Sequence, residues 1–282
     1  MEYKRLFFPL GGGGELRQRI HGALLIGKYF ESHLEIFKAQ AKPSKIIRFD
    51  DSLPEKVLKE LNAMAKDRLD EDLVIHERIL DEELQHIDVI KSDKRIDNKP
   101  TVNIITGEGY RSELIELESK YCDLVVLSSP HDGRITSTFE TTITKSGKPA
   151  LMFPREMKSF STDKIIIGWN NSPEIARSVT RAIPILKNAK EVHIITSKEY
   201  TKDISYMTKL QTYLEDHGIK TTYDIVETTS TPGEALLYNA RKGNYDLIIA
   251  GAFGHKGLRE IMFGGTTKYI LEHADIPIFM TH

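Results

Sequence analysis

The chain has 282 residues, of which 40% are hydrophobic and 28% are charged, and its formal net charge is -2. This composition is typical of a soluble globular protein long enough for two cores, and the balanced charge gives no support for binding nucleic acid or an anionic membrane surface. No apolar run approaches the roughly 20 residues that cross a bilayer and no signal peptide is recognisable, so we expect a cytoplasmic protein.

The first half begins with an apolar strand at residues 4–10, which runs into four consecutive glycines at residues 11–14. A helix is expected after them, and the glycines could form either an anion-binding nest or a merely permissive turn. The charged segment 53–93 predicts a solvated amphipathic helix or a pair of helices. The single cysteine, Cys122, precedes another apolar strand and is expected to be a small core residue, since it has no intrachain partner for a disulfide.

Three short segments of the first half recur in the same order in the second half. The matching pairs are 4–11 with 164–171, 121–127 with 245–250, and 146–153 with 274–280. A repeated order of this kind indicates a tandem duplication. We therefore predict a first domain at residues 1–154 and a second at residues 164–282. The short polar segment 155–163 between them is predicted to be a linker.

In the second half, helical periodicity fills the gaps between apolar strands. Ser172 and Pro173 form an N-cap followed by proline at the first helical position. Further helices are expected at residues 204–214 and 233–244. Alternation of strands and helices predicts an α/β fold made of two open, five-stranded parallel sheets in tandem. The apolar last strands, 149–153 and 277–281, are expected to pack the two halves together as a pseudo-dimer.

The densest cluster of glycines follows the apolar strand at residues 247–250. Its spacing is given by Gly251, Gly254, Gly264 and Gly265, after which a short amphipathic helix begins. Backbone N–H groups near the last two glycines would stand at a helix N-terminus, where a phosphate binds well. The alternative is a plain connection between a strand and a helix with flexible glycines.

This strand, glycine loop and helix resemble the universal stress protein family, whose usual ending is G-x2-G-x9-G-[ST]. The three glycines of that pattern match, while Gly265 occupies the Ser/Thr position and Thr266 and Thr267 supply a hydroxyl one residue late. The resemblance covers nearly the whole chain as a tandem member, although loop 128–142 of the first half lacks the glycine spacing. It implies the Rossmann-like fold of the adenine nucleotide alpha hydrolases.

The resemblance also implies a ligand, ATP or another adenine nucleotide, bound in the second half. Family members that bind it place an aspartate near the adenine and ribose, and the matching residue here is Asn170. Thr196 would lie beside the same crevice, and the glycine loop with His255 would hold the phosphates. A purely structural interpretation, in which Asn170 shapes a turn before the next helix, remains open. Trp169 is expected to pack rather than to stack on a base.

The family resemblance implies a stress-response sensor or regulator. No constellation of catalytic or metal-ligating residues is recognisable, and slow ATP hydrolysis, the only enzymatic alternative, lacks a general base in the sequence. The competing interpretation is an interaction module whose nucleotide site has decayed and which binds protein partners or a non-nucleotide ligand. Whether the pseudo-dimer forms a further homodimer cannot be read from the sequence.

Overall fold

The computed structural model of the chain describes residues 3–11, 14–40, 55–130, 135–200, 203–227, 231–252 and 266–282. Within these ranges the strands are β1 (Arg5–Pro9), β2 (His33–Gln40), β3 (Ile90–Lys91), β4 (Thr101–Glu108), β5 (Leu124–Ser128), β6 (Ala150–Phe153), β7 (Lys164–Gly168), β8 (Glu191–Ser197), β9 (Thr222–Val226), β10 (Leu247–Gly251) and β11 (Ile278–Thr281). The α-helices are α1 (Leu16–Tyr29), α2 (Glu55–Leu84), α3 (Arg111–Glu118), α4 (Ser137–Lys145), α5 (Pro173–Leu186), α6 (Ser205–Asp216), α7 (Pro232–Lys242) and α8 (Thr266–His273).

The strands form one 11-stranded sheet in the order β3-β4-β2-β1-β5-β6-β11-β10-β7-β8-β9. We call the part that contains β1–β6 the N-terminal half and the part that contains β7–β11 the C-terminal half. Neighbouring strands are parallel except at the centre, where β6 and β11 pair antiparallel with Ile278 opposite Met152 and Met280 opposite Ala150. Read towards that central pair, β4-β2-β1-β5-β6 and β9-β8-β7-β10-β11 have the same order. The predicted fold class is therefore confirmed.

The N-terminal half carries one strand more than the five predicted. This strand, β3, has only two residues and pairs with the start of β4, where Ile90 lies opposite Thr101. It follows α2, a single 30-residue helix, so the charged segment forms one long helix over residues 55–84 rather than a pair. Most of α2 faces solvent, as the exposure of Met64 and Val74 illustrates, while Leu80 is fully buried against the core.

The side chains of successive residues in each buried strand pack into apolar clusters on opposite faces of the sheet. Phe8 belongs to the apolar cluster on one face of the sheet and Phe7 to the cluster on the other face. Each cluster also crosses the central strand pair, because Phe153 and Phe279 share the first cluster while Met152 and Ile278 share the second. Parallel strands covered on both faces read as continuous apolar runs, which explains why the sequence revealed them so clearly.

The junction at residues 155–163 is packed into the structure rather than extended across its surface. The Phe160 ring meets the Tyr29 ring edge-on, with centroids 5.0 Å apart. Thr162 is buried, and its hydroxyl oxygen lies 2.6 Å from the Tyr29 hydroxyl. Met157 is also buried in the core. Three of the nine junction residues therefore pack inwards, which the polar composition of the segment did not indicate.

Helix ends in the C-terminal half follow the sequence signals. The Ser172 hydroxyl accepts a hydrogen bond from the Ile175 N–H at 3.4 Å at the start of α5. Thr231 caps α7 in the same way, and each helix has proline at its first position. None of the described helices combines the length and the apolar composition that crossing a membrane requires.

Candidate functional site

A crevice opens at the carboxyl ends of β7, β8 and β10 in the C-terminal half. The chain leaves β7 towards β8 on one side and later returns to β10 on the other, so the crevice lies at the point where the strand order reverses. Ligands of open α/β sheets bind at this location. Together with the open solvent above it, the crevice comprises about 550 Å³. Three of the predicted site residues, Asn170, Thr196 and Gly251, line it together.

Asn170 has a structural role in the turn that leads into α5. Its side-chain Oδ1 accepts a hydrogen bond from the Ser172 N–H at 3.1 Å, and the intervening Asn171 adopts a left-handed φ of 57°. A carboxamide has two N–H donors and a second lone pair on its oxygen, so the turn does not exhaust the capacity of Asn170 for hydrogen bonds. Beside it, Trp169 packs partly buried against the core and also lines the crevice.

Thr196 and Ser197 end β8 with their side chains buried at the floor of the crevice, only 3% and 5% exposed. The Ser197 hydroxyl oxygen has no hydrogen-bond partner among the described residues. A buried hydroxyl without a partner costs about 1–3 kcal/mol. Ser197 therefore offers the crevice a polar group that gains from a hydrogen bond to water or to a ligand.

Gly251 is a glycine for a packing reason. A Cβ at this position would lie 2.8 Å from the backbone nitrogen of Ile175 and 2.9 Å from the Cβ of Glu174. The end of β10 can thus approach the first turn of α5 only without a side chain. The Ser178 hydroxyl fixes the same contact by donating to the carbonyl oxygen of Ala250 at 2.8 Å.

The N-terminus of α5 already holds a carboxylate. The Glu174 side chain pairs with Arg177, with 3.1 Å between Oε1 and Nη2. Burial acts to raise the pKa of Glu174, but hydrogen bonds to its own backbone N–H and to Ser172, together with the charge of Arg177, leave the pKa below its ordinary value. An ionised group here repels a phosphate. A phosphate would therefore meet a better environment at α8, which begins at Thr266 directly after the glycine motif.

The remaining predicted site residues are Gly254, His255, Gly264 and Gly265, and they lie outside the described residues. Thr266 and Thr267 are the first two residues of α8, and only their backbone is described. The structure thus brings together the part of the predicted site at the strand ends, while the predicted phosphate loop stays a prediction.

Sequence reasoning missed the far wall of the crevice. Tyr200 after β8, Val226 at the end of β9, and Ala235 and Leu236 in α7 all line it. The Thr231-Pro232 cap could have located this wall, because it repeats the signal that begins α5. No described residue that lines the crevice carries a formal charge. No group of three potential metal ligands among His, Cys, Asp and Glu occurs in the described part of the chain.

Comparisons with known proteins agree with this architecture. The family model of the universal stress protein family matches residues 162–282. The universal stress protein Slr1230 of Synechocystis sp. is 21% identical over 192 residues, which cover 63% of this chain and 64% of that protein. Slr1101 of the same organism is 34% identical over 50 residues, or 18% of this chain and 46% of the relative. The chain therefore spans less than two thirds of the length of these curated relatives.

A solved structure of similar fold is a universal stress protein from Archaeoglobus fulgidus. Its TM-score is 0.69 at 14% identity, and the match covers 99% of this chain and 98% of the other. The cytoplasmic domain of a prokaryotic cation chloride cotransporter also has a similar fold, with a TM-score of 0.51 at 10% identity and coverage of 98% and 94%. At these identities the structural matches show the fold alone. Residues 162–282 match the model of the universal stress protein family, and together with the curated relatives and the structural matches they support a UspA-like protein.

Proposed function

We propose that the C-terminal half binds an adenine nucleotide, ATP or a close relative, and that the protein acts as a cytoplasmic stress-response sensor or regulator. The observation that carries this proposal is the convergence of Asn170, Thr196 and Gly251 on one crevice. These three residues come from three separate strand ends, and the sequence had assigned them to one nucleotide site.

The chemistry of the crevice suits the base and ribose of such a ligand. Its described lining is uncharged, with apolar side chains such as Val226 and Leu236 beside the hydroxyls of Thr196 and Ser197. Small-molecule sites typically combine an apolar surface with a few polar groups in this way. The phosphates would extend towards residues 264–267, where the N-terminus of α8 supplies N–H donors and the positive end of a helix dipole.

Binding without rapid turnover is the role that we favour. The described lining contains no carboxylate, histidine or lysine that could act as a general base next to the nucleotide. A protein that binds ATP and hydrolyses it slowly or not at all can report nucleotide levels to a partner. The composition and the single cysteine, which is buried and free, support the proposed cytoplasmic setting.

We also propose that residues 1–154 and 164–282 are two domains of a duplicated unit, with 155–163 between them. Support comes from the identical strand order on either side of the β6–β11 pair. The Tyr3 hydroxyl donates to the carbonyl oxygen of Arg181 at 2.6 Å across the same boundary. We expect separately expressed halves to associate when mixed, and halves that stay monomeric and apart would contradict the pseudo-dimer.

Calorimetric titration of ATP, ADP and AMP tests the nucleotide proposal. The informative variant is Ala235→Trp, because Ala235 lines the crevice and an indole there would fill it. We expect the wild type to bind and this variant to lose at least tenfold in affinity. Tyr238→Trp on the same helix is the control, since Tyr238 is exposed and lies outside the crevice lining. Absence of both heat and thermal shift at millimolar nucleotide would contradict the proposal.

A second candidate function is an interaction module with a decayed nucleotide site. Two observations favour it, because Asn170 is engaged in the turn before α5 and Gly251 is explained by packing alone. Mass spectrometry of small molecules extracted from the purified protein separates the two functions. A co-purified adenine nucleotide supports the sensor, whereas a different metabolite or a lipid supports the module.

A further inference from the structure

The N-terminal half has its own crevice at the corresponding strand ends, and we call it the arginine crevice. It lies beyond the carboxyl ends of β1 and β5 and encloses about 780 Å³ of space open to solvent. Arg19, Arg111 and Arg155 all line it, together with Gly11, Ser129 and Thr136. The three arginines come from α1, from the first residue of α3 and from the segment after β6.

Backbone contacts hold two of these arginines in place. The Nη1 of Arg19 donates to the carbonyl oxygen of Gly11 at 3.1 Å, and Arg19 is only 5% exposed. The Nε of Arg155 donates to the carbonyl oxygen of Ser129 at 3.1 Å, and its Nη1 bonds a carboxylate oxygen of Glu15. A guanidinium has five N–H donors, so the two contacts of Arg155 leave further donors on that side chain.

Arg111 has a buried donor that nothing in the described chain satisfies. Its Nε is buried and has no hydrogen-bond partner among the described residues. Leaving a buried donor of a charged group without an acceptor is costly. Arg111 therefore adds an incompletely paired guanidinium to the lining of the arginine crevice.

Like charges gather at this end of the N-terminal half. Burial lowers the pKa of Arg19, and repulsion from Arg155 and Arg111 adds to that effect, while Glu15 opposes it. Burial also lowers the pKa of Lys38 on β2, opposed by Asp72 and reinforced by Arg111 and Arg19. Among the described residues, Glu15 is the carboxylate that acts on Arg19 and Asp72 is the one that acts on Lys38. Asp72 lies 3.9 Å from Lys38, so Glu15 is the one that pairs with an arginine of the crevice.

Helix geometry adds to the positive potential. The helix α4 begins at the crevice, where Thr136 caps it by accepting from the Phe139 N–H at 3.1 Å. The N-cap of α1 is Glu15, whose side chain makes no capping hydrogen bond, and the first turn of α1 has no acidic residue. Both helices thus direct the positive end of a dipole towards the same region, and each also places a carboxylate near its start, Glu15 at the N-cap of α1 and Glu140 in the first turn of α4.

We propose that the arginine crevice binds a phosphorylated small molecule, with its phosphate groups held by Arg19, Arg111 and Arg155. Guanidinium groups bind phosphate through paired, charge-assisted hydrogen bonds. A phosphate ester carries about two negative charges at neutral pH, which offsets several cations where a single carboxylate offsets one. This site is independent of the nucleotide crevice, because it lies in the other half and uses none of the family's glycine motif.

Calorimetric titration of pyrophosphate at fixed ionic strength, in phosphate-free buffer, tests the proposal. The wild type should bind pyrophosphate, and Arg111→Gln should weaken binding at least tenfold because it removes one guanidinium. Arg111→Lys keeps the charge but loses the planar fork, so its affinity should be intermediate. The matched control is Arg78→Gln, which removes an equal charge from the exposed face of α2 and should bind as the wild type does.

Three results would overturn the arginine site. One is equal pyrophosphate affinity in the wild type and in a folded Arg111→Gln or Arg111→Lys protein. Another is citrate binding as tightly as pyrophosphate, since that result would show that the crevice attracts any multiply charged anion and does not recognise phosphate. The third is loss of pyrophosphate binding in Gly264→Val, because that variant alters only the C-terminal half. A failure of the nucleotide proposal would leave all these measurements unchanged.

Discussion

The two halves of this protein have the same strand order but opposite chemistry at the ends of those strands. The crevice of the C-terminal half is lined by uncharged described residues, whereas three arginines line the crevice of the N-terminal half. The features that the two halves share are contacts that hold the strands of the sheet together. Asp123 accepts hydrogen bonds from the N–H groups of Lys4 and Arg5 and so links β5 to β1. Asp246 accepts a hydrogen bond from the N–H of Lys164 and links the corresponding strands, β10 and β7. The two halves thus have the same strand order, while a few side chains give their crevices different chemistry.

The largest difference that we expect between the halves is in the loss of stability when the last residue of β10 or of β5 is replaced by valine. Gly251→Val should destabilise the fold by about 3 kcal/mol, because the new side chain would overlap the backbone of α5. The corresponding residue of β5 is Ser128, which already carries a side chain and is half-buried. Ser128→Val should cost less than about 1 kcal/mol. Urea denaturation of both variants measures the contrast, and equal losses would contradict it.

We expect a substitution in one crevice to weaken only the ligand that binds there. One variant in each half, titrated with both ligands, tests this expectation. Gly264→Val should abolish adenine-nucleotide binding and leave pyrophosphate binding intact, since a branched side chain obstructs the close backbone approach of the glycine loop. Arg111→Gln should do the reverse. Each loss should be tenfold or more, or at least about 1.4 kcal/mol. Calorimetry with both ligands on both variants measures it, and a variant that loses both ligands while still folded would show that the crevices are coupled.

Asn170→Asp should make the crevice of the C-terminal half more selective for adenosine nucleotides. An aspartate keeps the oxygen that accepts from the Ser172 N–H, and it restores the acceptor that the family uses towards ribose and base. We expect adenosine nucleotides to bind about 1 kcal/mol more tightly. Asn98→Asp adds the same charge at an exposed turn in the N-terminal half and serves as control. Weaker binding by Asn170→Asp would contradict this expectation and would indicate that the ligand accepts from the amide N–H group of Asn170, since the turn uses only the oxygen that both side chains have.

The smallest effect that we expect is on the ionisation of two side chains, Cys122 and Tyr245, which precede the corresponding strands β5 and β10. Burial raises the pKa of Cys122 to about 12, and burial with a hydrogen bond to Glu191 raises the pKa of Tyr245 to about 12. Both groups therefore remain protonated at pH 8. The folded protein should not react with Ellman's reagent at that pH, and the urea-unfolded protein should react once.

The pH dependence follows from the same shift at Cys122. An unfolded thiol ionises near pH 8.5, whereas the folded thiol holds its proton up to about pH 12. The folded state binds the extra proton between these values, so stability should fall as the pH rises through that window. The variant Cys122→Ala should lack this contribution in urea titrations at pH 8 and 10. An identical decline in both proteins would assign the dependence to other groups.

Local sequence patterns were sufficient to predict the fold class and most of the strands and helices. Strands covered on both faces are apolar runs, and the caps of α5 and α7 are local pairs of residues, so neighbouring positions suffice to identify them. The recurrence of the same segments in the same order then indicated two matching halves. Part of the candidate site followed as well, because parallel strands bring their carboxyl ends to one edge, and Asn170, Thr196 and Gly251 all lie there.

Only the tertiary structure decided what surrounds those residues. Phe160 in the junction packs on Tyr29, and Gly251 meets the first turn of α5, although neither partner is close in sequence. The arginine crevice depends still more on the folded chain, since Arg19, Arg111 and Arg155 belong to three segments with no common motif. Periodicity and capping arise between near neighbours and are therefore written in the local sequence. Contacts between distant segments depend on how helices and strands pack, and no local pattern records them.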